Sequence, residues 1–388
     1  MQLSKRMDLF GESVFSRLTA IKKQRIAQGL PVYDFSIGTP NVPPAQHILD
    51  TITEAVADPQ NYVYAINDLP ELQDAVQAWY KRRYGVNLDP RTEVCSLLGS
   101  QEGLSHIALA FADDGDVILA PEPCYPVFAD GPLIAGAEVY HMPLLEEKDY
   151  IIQLQDIPTD VAKKAKMMIV SYPNNPTTAL APDSFYHDLI RFAKENDIVV
   201  LHDNAYSELV YDGKSVGSFL RFEGAKEVGV EFNSLSKTYG LAGARIGFCV
   251  GNADVVSAVK TLKSNMDYGM FIPVQKAAIA AITGDQSCVP MTRDAYQHRR
   301  DLLCDGLTEI GWKVERPVST MFAWPKIPAK FTSSEEFAME LVEKTGMLVT
   351  PGSAFGSLGE GHVRMAMVRS DEEIKACIQA VKDSGILD

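Results

Sequence analysis

From residue 93 onward the chain alternates short apolar runs with turns and helical spacing, and this alternation predicts an α/β fold. The runs at 93–98, 116–120, 166–170, 197–201, 228–232 and 246–250 have strand length, and glycine, proline or asparagine follows most of them. Asn175, Asp203 and Lys237 lie just beyond three of these runs, where open α/β sheets collect ligands. The length of 388 residues allows two domains, and 46% hydrophobic against 22% charged residues is ordinary for a globular chain with a large core.

A net charge of −15 argues against nucleic acid or an anionic membrane as the main partner. The six cysteines, Cys95, Cys124, Cys249, Cys288, Cys304 and Cys377, are scattered without C-x-x-C or metal-ligand spacing. We read them as free thiols in a reducing cytoplasm and expect no metal site. The N-terminus has charged residues where a signal peptide would be apolar, and no apolar run reaches the roughly 18 residues of a membrane span.

Taken in order, residues 17–28 have helical spacing and stop at Gly29. Residues 32–37 read as a strand entering the turn Gly38-Thr39-Pro40-Asn41. A helix is expected over 45–58, then Asn61-Tyr62-Val63-Tyr64-Ala65. Leu72, Val76 and Trp79 mark an amphipathic helix over 70–84. The strand at 93–98 ends in Gly99-Ser100-Gln101-Glu102-Gly103, ahead of an apolar helix over 104–111. Strand, glycine turn and helix can seat an anion on the backbone N–H groups of Ser100 and Gln101. The stretch is neither a G-x-G-x-x-G fingerprint nor a P-loop.

Next, Tyr125 sits between the prolines of Pro123-Cys124-Tyr125-Pro126, which suits either a flat stacking ring or a structural tyrosine. The run at 166–170 opens into Pro173-Asn174-Asn175-Pro176-Thr177-Thr178, and that at 197–201 into His202-Asp203-Asn204-Ala205-Tyr206. An aspartate just past a buried strand needs a partner. After 251 the pattern turns helical, and 263–270 breaks it. From about 285 a second unit is expected: a long charged helix to 310, strands near 312–314 and 322–324, a helix over 334–344, a turn at 349–352 and a strand around Arg364. An arginine alternating with apolar residues usually forms a salt bridge.

The stretch Asn233-Ser234-Leu235-Ser236-Lys237-Thr238-Tyr239-Gly240-Leu241-Ala242-Gly243-Ala244-Arg245-Ile246-Gly247 organises the rest. Small hydroxyls and an arginine make a phosphate cradle. Its lysine reads three ways: a phosphate ligand, a Schiff-base nucleophile, or a surface lysine in a glycine-rich turn.

This stretch resembles the S-x-x-K…G-x-R pattern of class I/II pyridoxal-phosphate-dependent aminotransferases, and the other motifs fall in that family's order over nearly the whole chain. The resemblance implies fold type I: a large domain at 45–284 around a mostly parallel sheet, and a small α+β domain from 1–44 and 285–388. It implies a homodimer with shared active sites and pyridoxal 5'-phosphate as cofactor. Lys237 would carry the cofactor as a Schiff base. Ser234, Ser236 and Arg245 would hold its phosphate, with Ser100 and Gln101 as a second seat and Tyr64 reaching in from the partner subunit. Tyr125 would stack on the pyridine ring, Asn175 and Tyr206 would donate to the phenolic oxygen, and Asp203 would face the pyridine nitrogen. Lys237, Asp203 and Tyr125 form the expected catalytic set, and Gly38, Asn175 and Arg364 the expected substrate contacts. The loop near 263–270 would line the partner's pocket. His202 is expected to be a packed support.

Two positions depart from the family. Thr178 stands where P-N-N-P-T-G has glycine, and threonine resists φ > 0. Asp68-Leu69 replaces a glycine after Tyr64. The stretches at 99–103, 202–208, 234–239 and 263–265 are similar to the LL-diaminopimelate aminotransferase branch, which also includes enzymes acting on aspartate or alanine. The expected reaction moves an amino group from an L-amino acid to a 2-oxo acid such as 2-oxoglutarate. A cystathionine-type β-lyase and a non-catalytic regulator on the same fold are the alternatives.

Overall fold

A computed structural model of the protein describes residues 2–9 and 14–388. Met1 and residues 10–13 of the expected small domain lie outside the described residues. The strands are β1 (Tyr33–Asp34), β2 (Val94–Leu97), β3 (Val117–Glu122), β4 (Glu138–Pro143), β5 (Ala165–Ser171), β6 (Val199–Asp203), β7 (Gly229–Ser234), β8 (Gly247–Gly251), β9 (Phe322–Ala323), β10 (Met347–Leu348), β11 (Thr350–Pro351) and β12 (Val363–Ala366).

Seven of them form one sheet in the order β2-β8-β7-β6-β5-β3-β4. Only β8 runs against its neighbours. The other pairings are parallel. The N-terminal end of β8 therefore meets the C-terminal ends of the rest, and the organising stretch is the short connection from β7 into β8.

The strands are apolar throughout because both faces are covered. In β5, Met168 and Val170 join the core under the helices Pro70–Tyr84 and Asp183–Asn196. Met167 and Ile169 join the opposite core, with Leu104, Phe128 and Val256. A third core gathers Phe35, Tyr206, Tyr296, Leu303, Phe322, Leu341 and Met365, and so unites segments from both ends of the chain with the stretch after β6. It is built on the antiparallel strands β11-β12-β9 and the parallel pair β1-β10.

Local signals explain the helix ends. Pro70 opens its helix at a position that has no N–H to lose, and Gly85 closes it at φ 71°. Ser370 and Glu373 form a reciprocal capping box.

Several expectations shift. The helix expected at 104 starts at Ser100 and is interrupted at Ile107, giving Ser100–His106 and Ala108–Phe111. The strand at 197–201 is Val199–Asp203, because Asp197 takes φ 55° to end the preceding helix. The strand expected at 32–37 is only the two residues of β1. Residues 312–314 form no strand: Trp312 and Val314 are buried by side-chain packing, and the Val314 N–H is satisfied by the Thr308 hydroxyl. The helix Ala253–Met266 continues through Lys263, so the break falls at Asp267.

Candidate active site

The strand ends converge on a cavity of about 390 Å³. Its walls include Gly38, Ser100, Gln101, Tyr125, Asn175, Asp203, Tyr206, Ser234, Ser236, Lys237, Arg245 and Arg364. Every site residue expected from the sequence is there except Tyr64. That side chain is 85% exposed and packs edge-on against Tyr268 at 6.1 Å, outside the cavity of its own chain.

Lys237 lies in the short helix Leu235–Thr238, whose first N–H groups are capped by the Ser234 hydroxyl accepting from Ser236 N at 3.2 Å. The Lys237 Nζ donates to the Gly38 carbonyl at 2.9 Å. Burial pushes its amine down to about 8, and the Arg364 and Arg245 guanidinium groups add to the effect.

Asp203, the last residue of β6, is buried, and its Oδ1 has no hydrogen-bond partner. Burial pushes this carboxyl up to about 6. A buried carboxylate oxygen without a partner is costly, and a cationic nitrogen in the cavity would satisfy it.

Arg364, on β12, is fully enclosed. Its guanidinium lies over Phe322 at 4.2 Å and over Phe355 at 4.7 Å. Nη1 donates to Asn175 Oδ1 and Nη2 to the Ser36 carbonyl, both at 3.0 Å, while Nε has no partner. Burial lowers this guanidinium to about 10. It is not the salt bridge that a strand arginine usually makes. Burial raises the Tyr206 hydroxyl, and the Asn175 side chain beside it pulls the other way. The Tyr125 hydroxyl donates to Gln101 Oε1 at 2.9 Å.

Arg245 adopts φ 55°, and its Nη1 and Nη2 donate to the carbonyls of Ala242 at 3.1 Å and Leu98 at 3.3 Å. Gly99 is required beneath it: at φ 79°, a Cβ there would lie 2.4 Å from Arg245 Nη2. Arg245, Ser100, Ser234 and Ser236 thus form a cationic, hydroxyl-rich part of the cavity, which Asp203 and Lys237 also line. This donor set, the orphaned Asp203 oxygen and the depressed Lys237 amine fit an aldehyde carrying a phosphate and a protonatable ring nitrogen.

Thr178 adopts φ 65°, the left-handed conformation that glycine would take. Its carbonyl accepts from the buried Ser319 hydroxyl at 2.7 Å, and its N–H bonds the Asn174 carbonyl at 3.0 Å. The turn that presents Asn175 therefore has the left-handed geometry despite the missing glycine.

His202 faces away from the cavity and lies 3.2 Å from Glu231. Sequence reasoning missed the aromatic sandwich of Phe322 and Phe355, the Ser36 carbonyl, and the cavity wall formed by Ile37 and Thr39. No local pattern distinguishes these two phenylalanines from core residues. Among the described residues, no helix is long and apolar enough to cross a membrane.

The family model for aminotransferase class I and II matches residues 31–381. An LL-diaminopimelate aminotransferase from Moorella thermoacetica is 42% identical over 383 residues, covering 98% of each chain. Among solved structures, substrate-bound BacF from Bacillus subtilis is similar at a TM-score of 0.94 and 35% identity, covering 99% of this chain and 98% of that one. A probable N-succinyldiaminopimelate aminotransferase from Thermus thermophilus has a TM-score of 0.90 at 34% identity, covering 96% of this chain and 100% of that one.

Proposed function

The chain belongs to the class I and II aminotransferases, pyridoxal 5'-phosphate enzymes that move an amino group from an amino acid to a 2-oxo acid, and from that premise we propose LL-diaminopimelate as its donor and 2-oxoglutarate as its acceptor. The convergence of Lys237, Asp203 and Arg364 on one cavity carries the catalytic part of this reading. The donor rests on the full-length relatives of that name.

Each residue has a task that follows from its surroundings. Arg364 grips the substrate α-carboxylate. Its planar fork is held between two rings, and carboxylate binding replaces the weaker carbonyl partners with a bidentate charge pair. Arg245, Ser234, Ser236, Ser100 and the Gln101 N–H would hold the cofactor phosphate. Asp203 would hold a proton on the ring nitrogen, and Tyr125 would cover the ring face. Pyridoxal phosphate, when bound, supplies the electron sink for the pair left at the α-carbon. Asn175 and Tyr206 would donate at the phenolic oxygen. Lys237 would anchor the cofactor, and its Nζ, free to act as base and acid, would hold and move the proton at the substrate α-carbon. An amine near 8 suits both directions of that transfer at neutral pH.

The same proposal includes a cytoplasmic homodimer and the division into 45–284 and the two terminal segments. The two cores on the faces of the large sheet draw their buried residues from 45–284, and the third draws mainly on the terminal segments, which supports the division. An exposed apolar surface supports the dimer: Tyr62, Val63, Tyr64 and Ile66 lie beside Tyr268 and Phe271, and Tyr64 touches nothing in its own cavity.

A single-turnover absorbance assay tests the reading. The loaded enzyme is mixed separately with LL-diaminopimelate, glutamate, aspartate, alanine and an aromatic amino acid. We expect loss of the cofactor band with LL-diaminopimelate, one keto acid per site, and recovery with 2-oxoglutarate. Faster turnover of another donor replaces the substrate assignment. Pyruvate and ammonia released from cystathionine, with the band persisting, would make the activity a β-lyase.

A further inference from the structure

Behind the phosphate end of the cavity lies an ion pair that the reaction itself does not use. Glu102 and Lys263 are 8% and 9% exposed and directly paired. Lys263 comes from the last turn of the helix Ala253–Met266 and also bonds Asp267 at 3.2 Å. Neither side chain lines the cavity. The second Glu102 oxygen accepts from the backbone N–H of Leu98. The carbonyl of Leu98 accepts from Arg245 Nη2 at 3.3 Å. Leu98 is therefore clamped from both sides, immediately before Gly99, whose missing Cβ lets the Arg245 guanidinium lie against the loop.

A buried ion pair contributes little net stability over an apolar pair, but it fixes geometry once made. This one fixes the height of the 98–100 turn relative to Arg245. We propose that Glu102 and Lys263 are positioning residues for the cofactor phosphate, acting through Leu98 and Arg245. The proposal rests on the assignment of this cavity to pyridoxal phosphate. It predicts an effect confined to the phosphate end, because neither Lys237 nor Asp203 bonds Leu98, Glu102 or Lys263.

Pyridoxal, which lacks the phosphate, separates the possibilities. The full-length chain, stripped of cofactor, is titrated with pyridoxal phosphate and with pyridoxal, following the cofactor's absorbance. The wild type is expected to prefer the phosphorylated form strongly. Glu102→Gln and Lys263→Met are each expected to reduce that preference about tenfold while leaving pyridoxal affinity unchanged, and the double variant is expected to lose no more than either single one. Lys263→Arg, which keeps the pair, should retain most of the preference. If Lys263→Met does not fold, Glu102→Gln carries the test, because Lys263 then keeps Asp267 as its partner. Equal losses for both ligands would mean a merely structural role and would overturn the proposal, as would an unchanged preference. A wild type without preference for the phosphorylated form would overturn the cavity assignment itself.

Discussion

Burial and two guanidinium groups hold the Lys237 amine at about 8, so its neutral fraction changes steeply near physiological pH. Only the neutral amine attacks an aldehyde. The rate of cofactor attachment to the stripped chain is therefore expected to rise about tenfold per pH unit below 8 and to level off above it. Lys237→Ala should abolish attachment and lower turnover by at least about a thousandfold; a variant that transaminates at wild-type rate would remove Lys237 from its role. Asp203 makes the opposite trade. Its folded pKa of about 6 lies above the ordinary value of 3.8, so its contribution to stability is fully present below about 4 and is lost as pH rises toward 6. Asp203→Asn should thus stabilise the cofactor-free chain at pH 7, by up to roughly 3 kcal/mol, while greatly reducing transamination. Thermal melts from pH 7 downward check this: the stability gap between variant and wild type should narrow as pH falls through 6.

The element scale is where turn chemistry and tertiary contact separate. The helix Pro70–Tyr84 begins and ends where its proline, periodic apolar residues and following glycine place it, because all its signals are local. Gly99 is also a local signal, because φ 79° with ψ 155° is a backbone that only glycine adopts readily; what tertiary structure adds is Arg245, brought in from the β7–β8 connection to lie against it. Gly99→Ala combines a backbone of φ 79° and ψ 155°, which disfavours non-glycine residues by about 1–3 kcal/mol, with displacement of the guanidinium. We expect pyridoxal phosphate affinity to fall at least about tenfold with a smaller effect on melting temperature, measured by cofactor titration and calorimetry. Thr178 shows the reverse. Its side chain argues against φ > 0, but the Ser319 and Asn174 hydrogen bonds on its backbone hold it there.

At the scale of the whole molecule, the question is what covers Tyr62, Val63, Tyr64, Ile66 and Phe271, which together expose an apolar surface outside the cavity. A second copy of the chain is the proposed cover, with Tyr64 donating to its partner's phosphate site. Ile66→Asp should shift the sedimentation coefficient toward monomer and weaken cofactor binding in parallel. Tyr64→Phe should keep the association state and weaken pyridoxal phosphate binding several-fold, as expected for one lost charge-assisted hydrogen bond. A monomeric wild type with full cofactor affinity would end this proposal.

The α/β class, the family and the cavity-lining residues were legible in the sequence because each depends on chemistry carried by a short segment. A strand end followed by asparagine, aspartate or lysine declares itself within a few residues. Tertiary structure alone decided which distant groups surround those residues. Phe322 and Phe355 read as ordinary core until they close on Arg364, and Trp312 to Val314 read as a strand until packing left them without one. Glu102 and Lys263 looked like parts of two unrelated motifs until the helix Ala253–Met266 brought them together behind Leu98. Local backbone preference is a property of neighbours in the chain. The desolvation that sets the Lys237, Asp203 and Arg364 pKa values is a property of neighbours in space.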